Sequence, residues 1–577
     1  MMQQAARHDK TSSDTGAMAR VDARATALRY ARQAATPLTL TWTGFLLSLI
    51  YLYRQLGASG SAVLGLWINS DTLWQANLFT DLFVDHYRLS GWAFSIAPCW
   101  FPDLAATGLF LALTRNVILA TLLAGFIQLG LLIGALRLCR KAIDFGTPAL
   151  QDIFLLATGT GLALYVAIHP NALYPPFYKL FLPQTHVGSL IMVLYGFGLG
   201  LLLIKRRTEP NAKPASLLIA YASVCFLAGM SNLLFFTHML VPLTVSLFFA
   251  LLFGVLTFKS AYLPMAAGWP AAALGAIANR FLFHATPVSR QAGMSLDRVL
   301  LSLDVFVRGA VGKILAGDPV HILALVWAVI CLGYILHTIR SLILRSRAQV
   351  GSSQVMACIF LSCCLLAGIC SILSIVIGGS NGLAEFKDYV WSMHYLHPVF
   401  LLPIFGMAML LSWIVAGAFS GRIRRPIALL FALLTILIPA YEITVSASPR
   451  MALSSYRPPL VLFMDKLAST ERLEYGYGGY WQARLITLLS TRGLRAYAVD
   501  GALNPLLWVS NREWYTETLE DRAKRPRIDF VVLDDPLWKI SREAAVRVLG
   551  EPVREVRVEN TRILLYATAS VAPVANR

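Results

Sequence analysis

The chain is short of charge. Only 14% of its 577 residues are Asp, Glu, Lys or Arg, against roughly 25% in soluble domains. Acids are the scarcer sign, 31 against 49 Lys and Arg. With 57% hydrophobic residues and a mean hydropathy of +0.62, a water-soluble globular fold is excluded. Cysteine is also sparse, with eight residues, no CxxC pair and no zinc-like spacing. Cys225, Cys331, Cys358, Cys363, Cys364 and Cys370 fall inside apolar runs, where a thiol behaves as a small hydrophobe. There is no Walker A loop, no internal repeat and no coiled-coil heptad, which argues against an ATP-driven pump in this chain.

Long apolar runs are what the chain does have. A helix needs about 20 such residues to cross about 30 Å of hydrocarbon. Runs at 37–53, 117–138, 152–168, 187–204, 215–234, 238–258, 262–280, 319–339, 354–378, 397–418 and 426–446 predict about eleven membrane helices. The net charge of +18 does not point to nucleic acid, because the cations gather in alternate connectors. Arg20, Arg24, Arg29 and Arg32 precede the first run, and Arg137, Arg140 and Lys141 follow the second. Lys205, Arg206, Arg207 and Lys213 follow the fourth, Arg340, Arg345 and Arg347 the eighth, and Arg422, Arg424 and Arg425 the tenth. Cytoplasmic connectors carry such an excess, so the N-terminus is predicted inside the cell. Residues 54–116, 169–186, 281–318, 379–396 and the tail then face outward. The expected organisation is a cytoplasmic tail 1–36, a transmembrane region 37–446 with a long first outer loop 54–116, and an extracytoplasmic α/β domain 447–577. Within that domain Val461–Phe463, Leu473–Tyr477, Ala496–Val499 and Phe530–Leu533 read as strands, and Tyr480–Ser490 and Ser541–Leu549 as helices. Val553–Ala567 reads as a strand pair turning near Glu559.

The first outer loop is far longer than the usual helix connector of roughly 2–8 residues. Asp71, Asp81, Asp85, Arg88 and Asp103 alternate there with Trp67, Trp74, Phe79, Phe83, Trp92, Phe94, Trp100 and Phe101, a mixture suited to helices lying in the membrane interface. A helix from Thr72 would make Asp71 its N-cap. Asp85 and Arg88 are spaced for an i,i+3 ion pair. Asp103 stands near the start of a helix over Leu104–Leu113, where capping competes with chemistry.

Other outward residues carry chemistry. Tyr174, Lys179 and His186 could line a sugar cleft, although tyrosines at this depth also form interfacial belts. Outward arginines run against the positive-inside trend, so Arg280 and Arg290 are phosphate candidates, with lipid headgroups as the competing partner. Arg298 and Arg308 are expected to pair with Asp297 and Asp304. Glu385, Lys387 and His394 precede the tenth run, with Lys387 a point-charge contact for phosphate. His394 and His397 share a helical face, but zinc would want further ligands. Tyr475-Gly-Tyr-Gly-Gly-Tyr-Trp481 has neither GxGxxG spacing nor a P-loop lysine. It reads as a tight strand-to-helix turn or as an aromatic surface for a glycan.

This layout resembles the GT-C superfamily of membrane glycosyltransferases, which use polyprenyl-phosphate-linked sugars as donors. Asp71, in Asn69-Ser-Asp71-Thr, occupies the place of that superfamily's catalytic carboxylate. The resemblance implies Asp71 as base and Asp103 as a supporting acid. It offers Arg88, Tyr174, Lys179, His186, Arg280, Arg290, Glu385, Lys387 and His394 as substrate contacts. The implied partners are a polyprenyl-phosphate-sugar donor, an envelope glycan, lipid or protein acceptor, and membrane lipids, in a bacterial inner membrane. No cofactor is expected. The first loop has no Asp-Xaa-Asp triplet and no His/Asp cluster to support a divalent metal, and the tail lacks the adjacent-tryptophan signature of asparagine-linked transfer. Two other classes share the composition: a transporter or lipid-linked glycan flippase, and a non-catalytic envelope assembly protein. Transport would call for ionisable residues deep in several spans, whereas here Glu442 is the main acid near a span interior.

Overall fold

Helices occupy every apolar run named above. The structure, a computed structural model, describes residues 36–94, 97–144, 147–169, 175–182, 186–207, 215–283, 295–344, 351–378, 389, 393–446, 452–521, 523–535 and 538–566. Among these, eight helices are long and apolar enough to cross a membrane: Val117–Ile143, Pro148–Ile168, Val187–Arg207, Phe258–Phe281, Pro319–Leu344, Ser352–Ile377, His397–Ala418 and Gly421–Val445. Ala215–Ser231 and Phe236–Leu252 are shorter. The chain breaks between them at Asn232, whose side chain accepts from the Leu234 N–H at 3.0 Å. A further helix covers 36–58. The long first loop with short helices, the many apolar helices and the terminal α/β domain are thus all present.

The chain forms two compact units. One comprises residues up to Gln55, Phe145–His169 and Phe405–Ser448. There a Cβ at Gly44 would stand 2.3 Å from the Thr435 carbonyl oxygen, a close approach that only glycine allows. Tyr51 donates to Glu442 at 3.0 Å, so that acid is partnered.

The second unit comprises Leu56–Asp144, Pro170–Ile404 and Pro449–Arg577. Its central column is Val187–Arg207, buried almost throughout. Glycines also let the second outer segment settle on helix Val117–Ile143. A Cβ at Gly125 would stand 2.2 Å from the Phe181 carbonyl oxygen. Beside it Gln128 Nε2 donates to the carbonyls of Lys179, Leu180 and Leu182 at 3.0, 3.0 and 3.3 Å. These bonds satisfy the buried end carbonyls of the single 3-10 turn Lys179–Phe181 and of Leu182 just after it.

The tail is a five-stranded sheet in the order Arg495–Ala498, Tyr475–Gly478, Phe530–Val532, Thr561–Leu565, Arg554–Val558. The first three strands run parallel and the last two antiparallel. Helix Tyr480–Leu489 makes the crossover between the first parallel pair. The glycine-rich stretch is a strand-to-helix turn. Gly479 leaves room for Asp535, which accepts from Trp481 N at 3.0 Å. Val461–Phe463, expected as a strand, lies instead in helix Pro459–Ala468. Proline suits a helix's first turn, and the buried set Val461, Met464, Asp465 and Leu467 follows helical spacing.

The first outer loop and the tail are interlocked. Trp92–Ala93 pairs antiparallel with Ser510–Asn511. Asp81, 1% exposed, accepts from Trp514 Nε1 at 2.8 Å, Trp92 Nε1 at 3.1 Å and Asn511 Nδ2 at 3.4 Å. Burial, and then the charge of Asp85, raise the Asp81 carboxyl to about 8, against the opposing pull of Trp514, Asn511 and Arg495. Arg495 grips Asp85 with two bonds of 2.7 and 2.8 Å. The expected Asp85–Arg88 pair does not form. Helix Ser70–Phe83 ends before Asp85, so the i,i+3 geometry is lost. Exposed Arg88 pairs instead with Glu513 at 2.9 Å and Glu517 at 3.4 Å. In the third outer segment Arg308 does pair with Asp304, at 2.7 Å, on helix Leu296–Leu315.

Losing one partner of a buried ion pair leaves the other uncompensated, at about 3 kcal/mol or more, while exposed pairs are worth about 1 kcal/mol or less. Asp85→Ala should therefore loosen the tail, seen as faster proteolysis within 452–566 and a lowered Tm in nanodiscs. Arg88→Ala should leave both nearly unchanged.

Candidate active site

Asp71 is not the cap of its helix. Helix Ser70–Phe83 starts two residues earlier than the sequence suggested, and Asn69 caps it, its Oδ1 accepting from the Asp71 and Thr72 N–H groups at 3.0 and 3.1 Å. That leaves the Asp71 carboxylate for other work. Its Oδ1 accepts from the Tyr480 hydroxyl at 2.8 Å, and its Oδ2 accepts no hydrogen bond from a described residue. Tyr480 comes from the tail, on the first turn of helix Tyr480–Leu489. Arg484, one turn on, places its guanidinium 5.0 Å from the Tyr480 ring centre. Its Nη1 donates to the Ser70 carbonyl at 2.7 Å and to the Tyr480 hydroxyl at 3.2 Å.

The second outer segment supplies a cation. Lys179 is 3% exposed and is set by the Gln128 clamp. Burial lowers its pKa to about 8, while the nearby charges of Asp71 and Cys99 act in the opposite direction. Burial, with the Asp71 charge second, pushes the phenols of Tyr178 and Tyr480 up, so both remain protonated donors. Tyr178 packs on Trp67 with ring centres 5.7 Å apart. His186 follows, its ring centre 4.8 Å from that of Tyr395. Burial, then the Lys179 and His238 charges, hold its imidazole well below the ordinary value. Being neutral, it can take at Nδ1 the hydrogen bond of Asn232 Nδ2, 3.1 Å away.

Asp103 is 2% exposed, with neither carboxylate oxygen hydrogen-bonded, and it caps no helix. It fits against Gly188, where a Cβ would stand 2.2 Å from Oδ2. Burial pushes its carboxyl up to about 7, so near neutral pH it holds a proton part of the time and can donate.

The structure thus brings Asp71, Lys179 and His186 into one neighbourhood of the second unit, where the charge of Lys179 acts on His186 and that of Asp71 on Lys179. Arg88 stands apart, engaged with Glu513 and Glu517. Arg280 is exposed on the last turn of Phe258–Phe283. Tyr174, Arg290, Glu385 and Lys387 lie outside the described residues, as does the side chain of His394, whose backbone is in the turn Met393–Tyr395. Among the described residues no three His, Cys, Asp or Glu side chains converge as a metal would require. Tyr480 and Arg484 were not singled out as Asp71 partners. They lie about 410 residues away, and no local pattern marks the contact.

A carboxyl with a folded pKa near 7 and an unfolded value near 3.8 binds more protons when folded between those values. Stability must then fall as pH rises across that window. Thermal unfolding in nanodiscs should show Tm declining from about pH 4 to about pH 7, and Asp103→Asn, which cannot ionise, should flatten part of that slope.

No family model matches the chain, and no curated protein matches it. Among solved structures it is similar to ArnT from Cupriavidus metallidurans bound to undecaprenyl phosphate, with 12% identity over 93% of this chain and 98% of that one, at a TM-score of 0.34.

Proposed function

We propose that this chain transfers a sugar from a polyprenyl-phosphate carrier to an envelope glycan, lipid or protein acceptor, on the extracytoplasmic face of a bacterial inner membrane. The supporting observation is that Asp71, a carboxylate with one oxygen occupied by Tyr480, lies within electrostatic reach of the buried ammonium of Lys179. The lysine and arginine pattern of the connectors favours an outward position for both, with the N-terminus cytoplasmic and the tail periplasmic.

The chemistry asks little more of the protein. The acceptor hydroxyl oxygen attacks the anomeric carbon and passes its proton to Asp71 Oδ2. The bond from that carbon to the carrier phosphate breaks, and its electrons leave with the phosphate oxygen. Direct displacement inverts the anomeric centre. Phosphate is a good leaving group, so one base and a cation against the departing charge suffice, the cation being Lys179. Asp103, partly protonated near neutral pH, is a donor in reserve for the phosphate or sugar. Tyr174, Arg290, Glu385, Lys387, His394 and Arg280 stay as further substrate or headgroup contacts on the outer segments.

Proteoliposomes supplied with radiolabelled lipid-linked sugars and an envelope extract provide the test. Asp71→Asn keeps the shape and removes the base, so transfer should fall by roughly a hundredfold or more; wild-type turnover in that variant would remove the assignment. With Lys179 at about 8, the ammonium is charged below that pH and neutral above it. The kcat/KM for the carrier should accordingly drop as pH rises through about 8. Lys179→Arg, which stays charged, should move that fall to higher pH.

A further inference from the structure

We infer that the tail completes the reaction centre, with Tyr480 and Arg484 as positioning residues that hold Asp71 in its working rotamer and aim its second oxygen. The inference rests on Asp71 being the base. Its geometric argument does not depend on which sugar is moved.

The direction of each hydrogen bond follows from chemistry. A guanidinium can only donate, so across the 3.2 Å contact the Tyr480 oxygen accepts from Arg484 Nη1. The phenol has a single proton, and that proton is then directed to Asp71 Oδ1 at 2.8 Å. No alternative tautomer reverses this chain. One carboxylate oxygen is thereby occupied and the other left open, which fixes which oxygen can take the acceptor's proton.

Two further bonds lock the frame. Ser70 Oγ donates to the Tyr480 carbonyl at 2.7 Å, and Arg484 Nη1 donates to the Ser70 carbonyl at 2.7 Å. The residue preceding the base and the residue touching it therefore hold each other. Arg484 Nη2 donates to the Val509 carbonyl, next to Ser510 of the strand pair that joins loop and tail. Arg484 is 6% exposed and Tyr480 5%. Desolvation strengthens every bond in such a network and raises the cost of breaking one.

A tail that served only as a lid or a partner-binding module would not need its own side chains on the base. The experiment compares wild type, Tyr480→Phe and Arg484→Gln in nanodiscs by two readouts. The first is the carboxylate stretch of Asp71 in the infrared, isolated as the difference from Asp71→Asn. The second is kcat and KM for lipid-linked sugar in proteoliposomes. Tyr480→Phe keeps the ring and removes the donor, so the Asp71 band should shift, and kcat should fall about tenfold with KM little changed. If Tyr480→Phe does not yield folded protein, Arg484→Gln decides the point, since it frees the phenol to turn away and should shift the same band. An unmoved band in the folded variant, or a loss confined to KM, overturns the inference. A shifted band in a protein that transfers no sugar even as wild type overturns the proposed function and leaves the positioning contact standing.

Discussion

Two acids of the first outer loop, Asp81 and Asp85, are buried, and nothing in the loop itself can satisfy both. The tail answers with the indole of Trp514 and the amide of Asn511 for Asp81, and with the forked guanidinium of Arg495 for Asp85. Removing carboxyl groups from water is costly unless they are hydrogen-bonded or paired, and the tail supplies most of the partners that offset that cost. The aromatic cluster around Trp92, Phe94, Trp100, Tyr497 and Trp514 closes over the same junction.

Everything at the candidate site hangs from that junction. Helix Ser70–Phe83 ends beside it and carries Asp71 in its first turn, so fixing one end fixes the other. The tail helix that meets Asp71 is the crossover between the strands Tyr475–Gly478 and Arg495–Ala498, and Arg495 on the second strand is the residue that grips Asp85. The lysine reaches the site by a separate route, through the open space above Gly125 and the three carbonyl bonds of Gln128. A carboxylate held by the tail and an ammonium held through Gln128 thus come within electrostatic reach of each other through two separate supports.

The sequence was most legible where the physics is local. Apolar run length predicted the helices, because hydrocarbon thickness sets it. Alternation and turn residues predicted all five tail-sheet strands to within two residues or so, and both tail helices that were named. Reading failed where three apolar residues, Val461–Phe463, fit either period, and proline at a helix start decided for helix. It failed again at Asp71, since Asn69, Asp71 and Thr72 are all residue types that can start a helix and only the backbone shows which one caps. Asp85 and Arg88 had ideal spacing for a helical pair, but the helix stopped at Phe83.

Composition and spacing by themselves determined that this chain is a polytopic membrane protein with a long loop after its first apolar helix and a terminal α/β domain, and that Asp71 and Lys179 carry scarce charge in segments between apolar runs. Those properties depend on neighbours along the chain. Only the tertiary structure decided that Asp71 is free of capping, that Tyr480 and Arg484 address it from about 410 residues away, and that Lys179 is buried beside it. Contacts between distant segments are set by which buried polar groups can satisfy one another once the segments pack, and no local pattern encodes that.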